Sequence, residues 1–210
     1  MTLKLTHYVL GPLQNNTLLL VDESSAECAV VDPAFGSKEV LKDIQAQGLK
    51  LSRILISHAH FDHIGGVNEL ITWPAGGIEL LMHPDGLLLW QSGGGAAIYG
   101  YAFDPPDLQP RPLQHGETIH LGESEIHVLH TPGHAPGHTA FYLPELSTAL
   151  VGDLIFYHGV GRTDLPGGSA RVLIESIRQQ ILTLPPETVL IPGHGPFTTV
   201  AEELAENPFL

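Results

Sequence analysis

Short apolar runs alternating with polar positions dominate the first 32 residues of the chain. Residues 3–10, 16–22 and 27–32 carry this pattern and read as three strands of a meander, with turns at Gly11-Pro12 and Asp22-Glu23-Ser24-Ser25. Asp32-Pro33-Ala34-Phe35-Gly36 breaks it, and the period changes. Val40, Leu41 and Ile44 share a helical face; Ser37 is placed to cap that helix and Gly48 to end it. An apolar run over 53–57 has strand propensity. Val67, Leu70 and Ile71 mark a helix starting near Asp62 or His63, and 78–82 reads as another strand. Residues 83–112, rich in glycine, proline and aromatics, predict a short helix and then a mobile excursion that overhangs the functional edge. Leu87-Leu88-Leu89-Trp90 is expected to be core.

The second half repeats this style. Residues 126–129 alternate like a strand and lead into a loop over 131–138. Residues 139–143 and 148–151 form a hairpin across Pro144-Glu145. Ser169 caps a helix with Val172, Leu173, Ile177 and Ile181 on one face, and 188–191 is the last strand. Two facing sheets with helices outside would bury every apolar face, with loops collected at one edge.

At 210 residues and 43% hydrophobic content the chain supports one sizeable core. Nine basic against 23 acidic residues give a net charge of -14, which excludes the basic face that a nucleic-acid partner requires. No apolar run is long enough to span a bilayer, and the first residues lack a signal-peptide pattern. The expectation is a cytoplasmic protein without a membrane partner. The single cysteine, Cys28, sits in a strand-like run and reads as a small buried hydrophobe.

Thirteen histidines are an excess that packing does not require, and their placement is informative. His58-Ala59-His60-Phe61-Asp62-His63 sets four potential metal ligands in six residues, directly after the apolar run Ile54-Leu55-Ile56. Imidazole and carboxylate suit zinc, iron or manganese. His58 and His60 converge from one side of extended chain; Asp62 continues that alternation and His63 points elsewhere. The spacing suits two neighbouring ions rather than one. His134, Asp153 and His194 each follow a glycine at the end of a strand-like run. His58, His60 and His134 would serve one ion, and Asp62, His63 and His194 the other, with Asp153 bridging. Two divalent cations about 3.5–4 Å apart can share a hydroxide, the nucleophile of a two-metal hydrolase. Asp62 could also orient that hydroxide, and His138, four residues past His134, is a candidate hydrogen-bonding support for a ligand.

The order and spelling of these motifs (His58 to Gly66, Thr131 to His134, Gly152-Asp153 and Pro192 to Gly195) resemble those of the metallo-β-lactamase superfamily. The resemblance spans nearly the whole chain. It implies an α/β fold, the αβ/βα four-layer sandwich, as a single domain over 1–210. Within that superfamily the chain is most similar to glyoxalase II and its short bacterial relatives. Aspartate rather than cysteine at position 153 separates it from the β-lactamases that use a cysteine ligand. The resemblance implies hydrolysis of small-molecule thioesters such as S-lactoylglutathione, with Zn, Fe or Mn as cofactor. It also implies that the chain lacks the C-terminal helical region of longer glyoxalase II enzymes. The segment 161–168 matches the region that carries a basic glutathione contact, which assigns that role to Arg162 and places Tyr157 in the same pocket. Persulfide dioxygenases, which use one iron, share part of that segment. They and lactonases or other ester and amide hydrolases are the competing readings.

Overall fold

The computed structural model describes residues 2–71 and 77–210. In the first sheet β1 (Leu3–Leu10), β2 (Asn15–Asp22), β3 (Glu27–Val31), β4 (Lys50–Leu55), β5 (Glu79–Met82) and β6 (Arg111–Pro112) lie side by side in sequence order. The first two pairings are antiparallel and the rest parallel. Helices α1 (Lys38–Ala46), α2 (Phe61–Ile64), α3 (Val67–Ile71) and α4 (Leu87–Gln91) belong to this half. The second sheet is built from β7 (Thr118–Leu121), β8 (Ser124–His130), β9 (Thr139–Leu143), β10 (Thr148–Gly152), β13 (Val189–Pro192) and β14 (Thr198–Thr199). The two-stranded ribbon β11 (Ile155–Phe156) and β12 (Gly159–Val160) follows β10. Helices α5 (Ala170–Ser176) and α6 (Val200–Glu206) complete the fold.

Alternation along β2 shows how the layers are specified. Leu18 and Leu20 point between the sheets, where they meet Phe141, Val128 and Ile191 of the second sheet. Leu19 and Val21 point the other way, into a layer shared with Val40 and Ile44 of α1, Val67 and Leu70 of α3 and Trp90 of α4. On the far side Ala149, Val151 and Leu190 pack against Leu173, Ile177, Ile181 and Val200. Three apolar layers thus separate two sheets and two sets of helices, the expected αβ/βα sandwich. Each fully buried leucine contributes roughly 1.5–3 kcal/mol. Because β2 is buried on both faces, a charge at Leu20 would have no solvated side to turn to. Cys28 is fully buried in the α1 layer, and burial pushes its thiol up to about 12, so it is unreactive when folded.

Several local expectations are corrected. Ser37 does not cap α1: its hydroxyl donates to the Ala34 carbonyl, and the Glu69 carboxylate accepts the Lys38 N–H instead. Ser169 does cap α5, accepting from Val172 N. That helix loosens into a π-turn over Ile177–Ile181 rather than continuing as one α-helix. The run over 53–57 becomes the end of a longer strand, Lys50–Leu55, and a two-residue passage to the ligand cluster. Asp62 does not continue an extended alternation, because the chain turns helical at Phe61. Trp90 is core, whereas Leu88 is 81% exposed. Strand β7 and helix α6 are elements that the hydrophobic pattern did not reveal; both are short, and α6 buries only Val200 and Glu203.

Strands β3, β4 and β5 run in one direction, and so do β8, β10 and β13. The segments leaving their C-terminal ends meet at one rim, where the Thr139 N–H donates to the Ser57 carbonyl across the two sheets. Every ligand candidate lies on this rim. Among the described residues no helix is long and apolar enough to cross a membrane.

Candidate metal centre

The centre is assembled from four strand ends. After β4 the chain stays extended through His60 (φ -67°, ψ 145°) and then enters α2, so His58 and His60 approach from one side and Asp62 and His63 from a helical turn. His134 comes from the loop after β8, Asp153 from the end of β10 and His194 from the end of β13. Two glycines permit the approach. Gly152 has φ +47°, and at Gly193 an added Cβ would lie 2.2 Å from Asp153 Oδ1 and 2.6 Å from His63.

The structure brings all seven predicted ligands together. Ligand atoms of His58, His60 and His134 lie within 4.8 Å of one another, as do those of Asp62, His63 and His194. Asp153 stands between the sets. Its Oδ1 is 3.3 Å from His63 Nε2, and its Oδ2 is 3.7 Å from both His134 Nε2 and His194 Nε2. His194 Nε2 also lies 3.2 Å from Asp62 Oδ2.

Remote hydrogen bonds fix the tautomers of four rings. His134 Nδ1 donates to the Arg162 carbonyl at 2.8 Å and His194 Nδ1 to the Leu13 carbonyl at 2.9 Å. His63 Nδ1 donates to Asp32 Oδ2 at 2.9 Å. The Ser57 hydroxyl also gives its proton to Asp32 Oδ2, at 2.5 Å, so it accepts from His58 Nδ1 at 3.0 Å. Each of these imidazoles therefore turns an unprotonated Nε2 inward. His58 Nε2, His63 Nε2 and Asp153 Oδ1 are buried without a hydrogen-bond partner among the described residues. Such a convergence of lone pairs would be costly in a protein that bound nothing there, and it fits divalent cations. His60 Nδ1 and His134 Nε2, 2.9 Å apart, face the same point.

The electrostatics agree. Burial, with His63 beside it, holds His58 well below the usual imidazole range. Burial and His134 push His60 down to about 4. Burial opposes charge on His63 as well, but Asp153, Asp62 and Asp32 raise it well above that range. Burial would raise Asp153, yet His63, His194 and His134 keep it ionised. Neutral His58, His60 and His134 around ionised carboxylates make a cage that attracts a cation, and a metal ion would take the place of the proton that the carboxylates hold on His63.

His138 lies directly behind the centre. It is fully buried, its Nδ1 pairs with Thr131 Oγ1 at 2.9 Å, and its Nε2 accepts the Asp153 N–H at 3.1 Å. Arg162 lines the adjoining cavity, but its guanidinium is held in a bidentate pair with Asp164, both bonds 2.7 Å. Tyr157 is a correction: it is 48% exposed, stacks on His158 and is not among the residues lining the cavity. The β11–β12 ribbon turns its ring away.

Sequence reasoning missed Asp32, which supports His63 and, through Ser57, His58. Nothing in its local sequence marks it; in the structure it is a strand-end carboxylate whose backbone takes φ +48°. It also missed Asn15, whose Nδ2 donates to Asp62 Oδ2 at 3.3 Å, and the aromatic cover of the cavity. That cover is Tyr99 and Tyr101 stacked on Phe61. The cavity has a volume of about 440 Å³ and opens directly onto His60, Asp62, His134, Asp153 and His194.

The sequence model of the metallo-β-lactamase superfamily matches residues 10–194. A probable metallo-hydrolase of Bacillus subtilis, YqgX, is 34% identical over 95% of this chain and 94% of its own length. The hydroxyacylglutathione hydrolase GloC of Haemophilus influenzae is 35% identical over 94% of this chain and 92% of its own. Among solved structures, that of TTHA1623 in a di-iron-bound form superposes with a TM-score of 0.87. It is 41% identical, and the match covers 98% of this chain and all of that one. Fold, ligand set and sequence agree: the chain belongs to the metallo-β-lactamase superfamily.

Proposed function

We propose that this protein is a binuclear-metal hydrolase that cleaves small-molecule thioesters such as S-lactoylglutathione. The observation that carries the proposal is the pair of ligand sets meeting at Asp153, with unpartnered buried donors, at the floor of an open cavity. Zn, Fe or Mn ions at the two positions would supply Lewis acidity and a nucleophile at neutral pH. The chain's own residues orient and shield. Asn15 holds Asp62, Asp32 and Ser57 hold His58 and His63, and His138 holds the backbone of Asp153.

Among the residues lining the cavity the only carboxylates are Asp62 and Asp153, both within the ligand sets. Outside the ligand sets the described lining offers no carboxylate or imidazole to protonate a poor leaving group, which suits a departing thiolate better than an amine. Phe61, Tyr99, Tyr101, Leu13 and Leu165 give the walls an apolar character, and Arg162 adds the one cationic side chain. Arg162 would meet a carboxylate of the thiol portion. Because Asp164 already pairs with it, anionic thiols gain less there than from a free guanidinium. Similarity to the hydroxyacylglutathione hydrolase of Haemophilus influenzae supports the thioester reading.

Assay of the zinc-, iron- or manganese-loaded protein on S-lactoylglutathione, beside short and long acyl thioesters, tests the proposal. Thioester turnover with about two ions per chain is the expected result. One iron per chain, with oxygen consumption on glutathione persulfide and no thioester cleavage, would overturn it.

A further inference from the structure

A second group of ligand side chains lies farther along the same rim. His83 directly follows β5, and His130 is the last residue of β8. One ligand atom each from His83, Asp85 and His130 lies within 4.8 Å of the other two. The two imidazoles stack with ring centroids 3.8 Å apart, and His83 Nδ1 is 3.7 Å from Asp85 Oδ2. A third imidazole adjoins them: His115 Nδ1 accepts the His130 N–H at 3.2 Å. None of these residues lines the central cavity.

Two observations separate this group from a chance grouping of polar residues. His130 Nε2 is buried and has no hydrogen-bond partner among the described residues, a loss that a cation would repair. The Asp85 side chain is 64% exposed while that of His83 is 12% exposed, so a solvent-facing carboxylate adjoins a sheltered imidazole. Burial keeps both imidazoles below their ordinary range, hence neutral and able to ligate near pH 7.

We propose that His83, Asp85 and His130 form a metal site separate from the catalytic centre, for a borderline divalent cation such as Ni²⁺ or Zn²⁺. Two imidazoles and one carboxylate favour these ions over Mg²⁺ or Ca²⁺, which prefer all-oxygen shells. An ion about 2.0–2.1 Å from each nitrogen requires the donors to close in by roughly an ångström. Rotation of the stacked rings and a swing of Asp85 supply that movement.

The site's position gives it a structural consequence. His130 continues into Thr131, whose N–H donates to the His138 carbonyl and whose hydroxyl pairs with His138 Nδ1. The turn after His83 packs its Gly86 against Pro136 and Gly137 of the same loop, which carries His134. An ion here would tie the end of β5 to the His134 loop and raise thermal stability.

The protein loaded with two zinc ions per chain and no more, titrated with Ni²⁺ and then freed of unbound ion by gel filtration, tests this. Elemental analysis should show one nickel per chain with zinc content unchanged, and the melting temperature should rise. His83→Gln and His130→Gln should lose the nickel and the rise while keeping zinc. Should either variant fail to fold, Asp85→Asn, at an exposed position, should weaken nickel binding about tenfold. Nickel uptake only in exchange for zinc, no uptake, or equal uptake by parent and variants would overturn the proposal. None of these readouts depends on which substrate the central site hydrolyses.

Discussion

Asp32 accepts a hydrogen bond from His63 Nδ1 at 2.9 Å, although 31 positions separate them, and it does so from a left-handed backbone conformation. The same carboxylate receives the Ser57 N–H at 2.7 Å and the Ser57 hydroxyl, which in turn holds His58. One side chain thereby fixes a ring in each ligand set.

Asp32→Asn should therefore weaken metal retention without unfolding the protein. Asparagine tolerates the left-handed backbone but replaces one charged acceptor oxygen with a donor. Loss of such a supporting contact typically costs about 10–100-fold in metal affinity or activity. Competition with a chelator measures it; retention equal to the parent would contradict the role assigned to Asp32.

Asp153→Ala should abolish hydrolysis and lower the metal content, since Asp153 is the carboxylate that faces both ligand sets. Elemental analysis beside a turnover assay decides this. Undiminished turnover would remove the two-metal reading. In the parent, metal should also be released as pH falls, because every histidine ligand must be neutral to bind.

Arg162 and Asp164 should act in opposite directions on substrate binding. Arg162→Ala is expected to raise KM for glutathione thioesters about tenfold, the scale of a lost charge-assisted contact, with kcat little changed. Asp164→Asn should lower KM for the same substrates by freeing the guanidinium. Simple uncharged thioesters should be indifferent to both, and KM values unmoved by either change would place the thiol portion elsewhere.

The pattern of apolar positions made the meander, the hairpin over 139–151 and most helices legible, because each buries residues at a regular period. Six of the seven candidate ligands were legible in full as members of one cluster, since ligand-type residues close in sequence or following a strand-ending glycine have few other uses. Asp62 was placed correctly in the centre but on the wrong backbone, because extended alternation and a helical turn both bring position 62 near His58. Asp32, Asn15, Tyr99 and Tyr101 were not legible. Their roles depend on partners 25 or more residues away, and nothing local distinguishes them from ordinary strand-end or loop residues. Tyr157 failed for the converse reason: closeness in sequence to Arg162 said nothing about which way the ribbon turns its ring.

Acid stability should show the contribution of Asp22. Burial would raise its pKa, but Ser24, Ser25 and Ser124 donate to its carboxylate and hold it well below the usual range. A depressed folded pKa means that this stabilisation is complete above the unfolded value of about 3.9 and is lost as pH falls towards the folded one. Metal-free parent protein should thus lose stability below about pH 4. Asp22→Asn should be less stable at pH 7 and change less across the acid range. Denaturant unfolding at several pH values measures both slopes, and parallel slopes would contradict the assignment.

Strand β2 links this chemistry to the core. Its middle residues, Leu18 to Val21, are committed to the apolar layers on either face, while its first residues reach the rim. There Asn15 donates to Asp62, the Asn16 side chain donates to the Pro192 and Gly195 carbonyls, and the Asn16 N–H donates to Gly193. The strand thus grips a ligand segment from each sheet. A slip of one residue would expose its leucines and pull the two halves of the centre out of alignment. The spacing between the two ligand sets is consequently set by hydrophobic register, so a core variant that lets β2 shift is a way to detune the proposed activity without touching a candidate ligand.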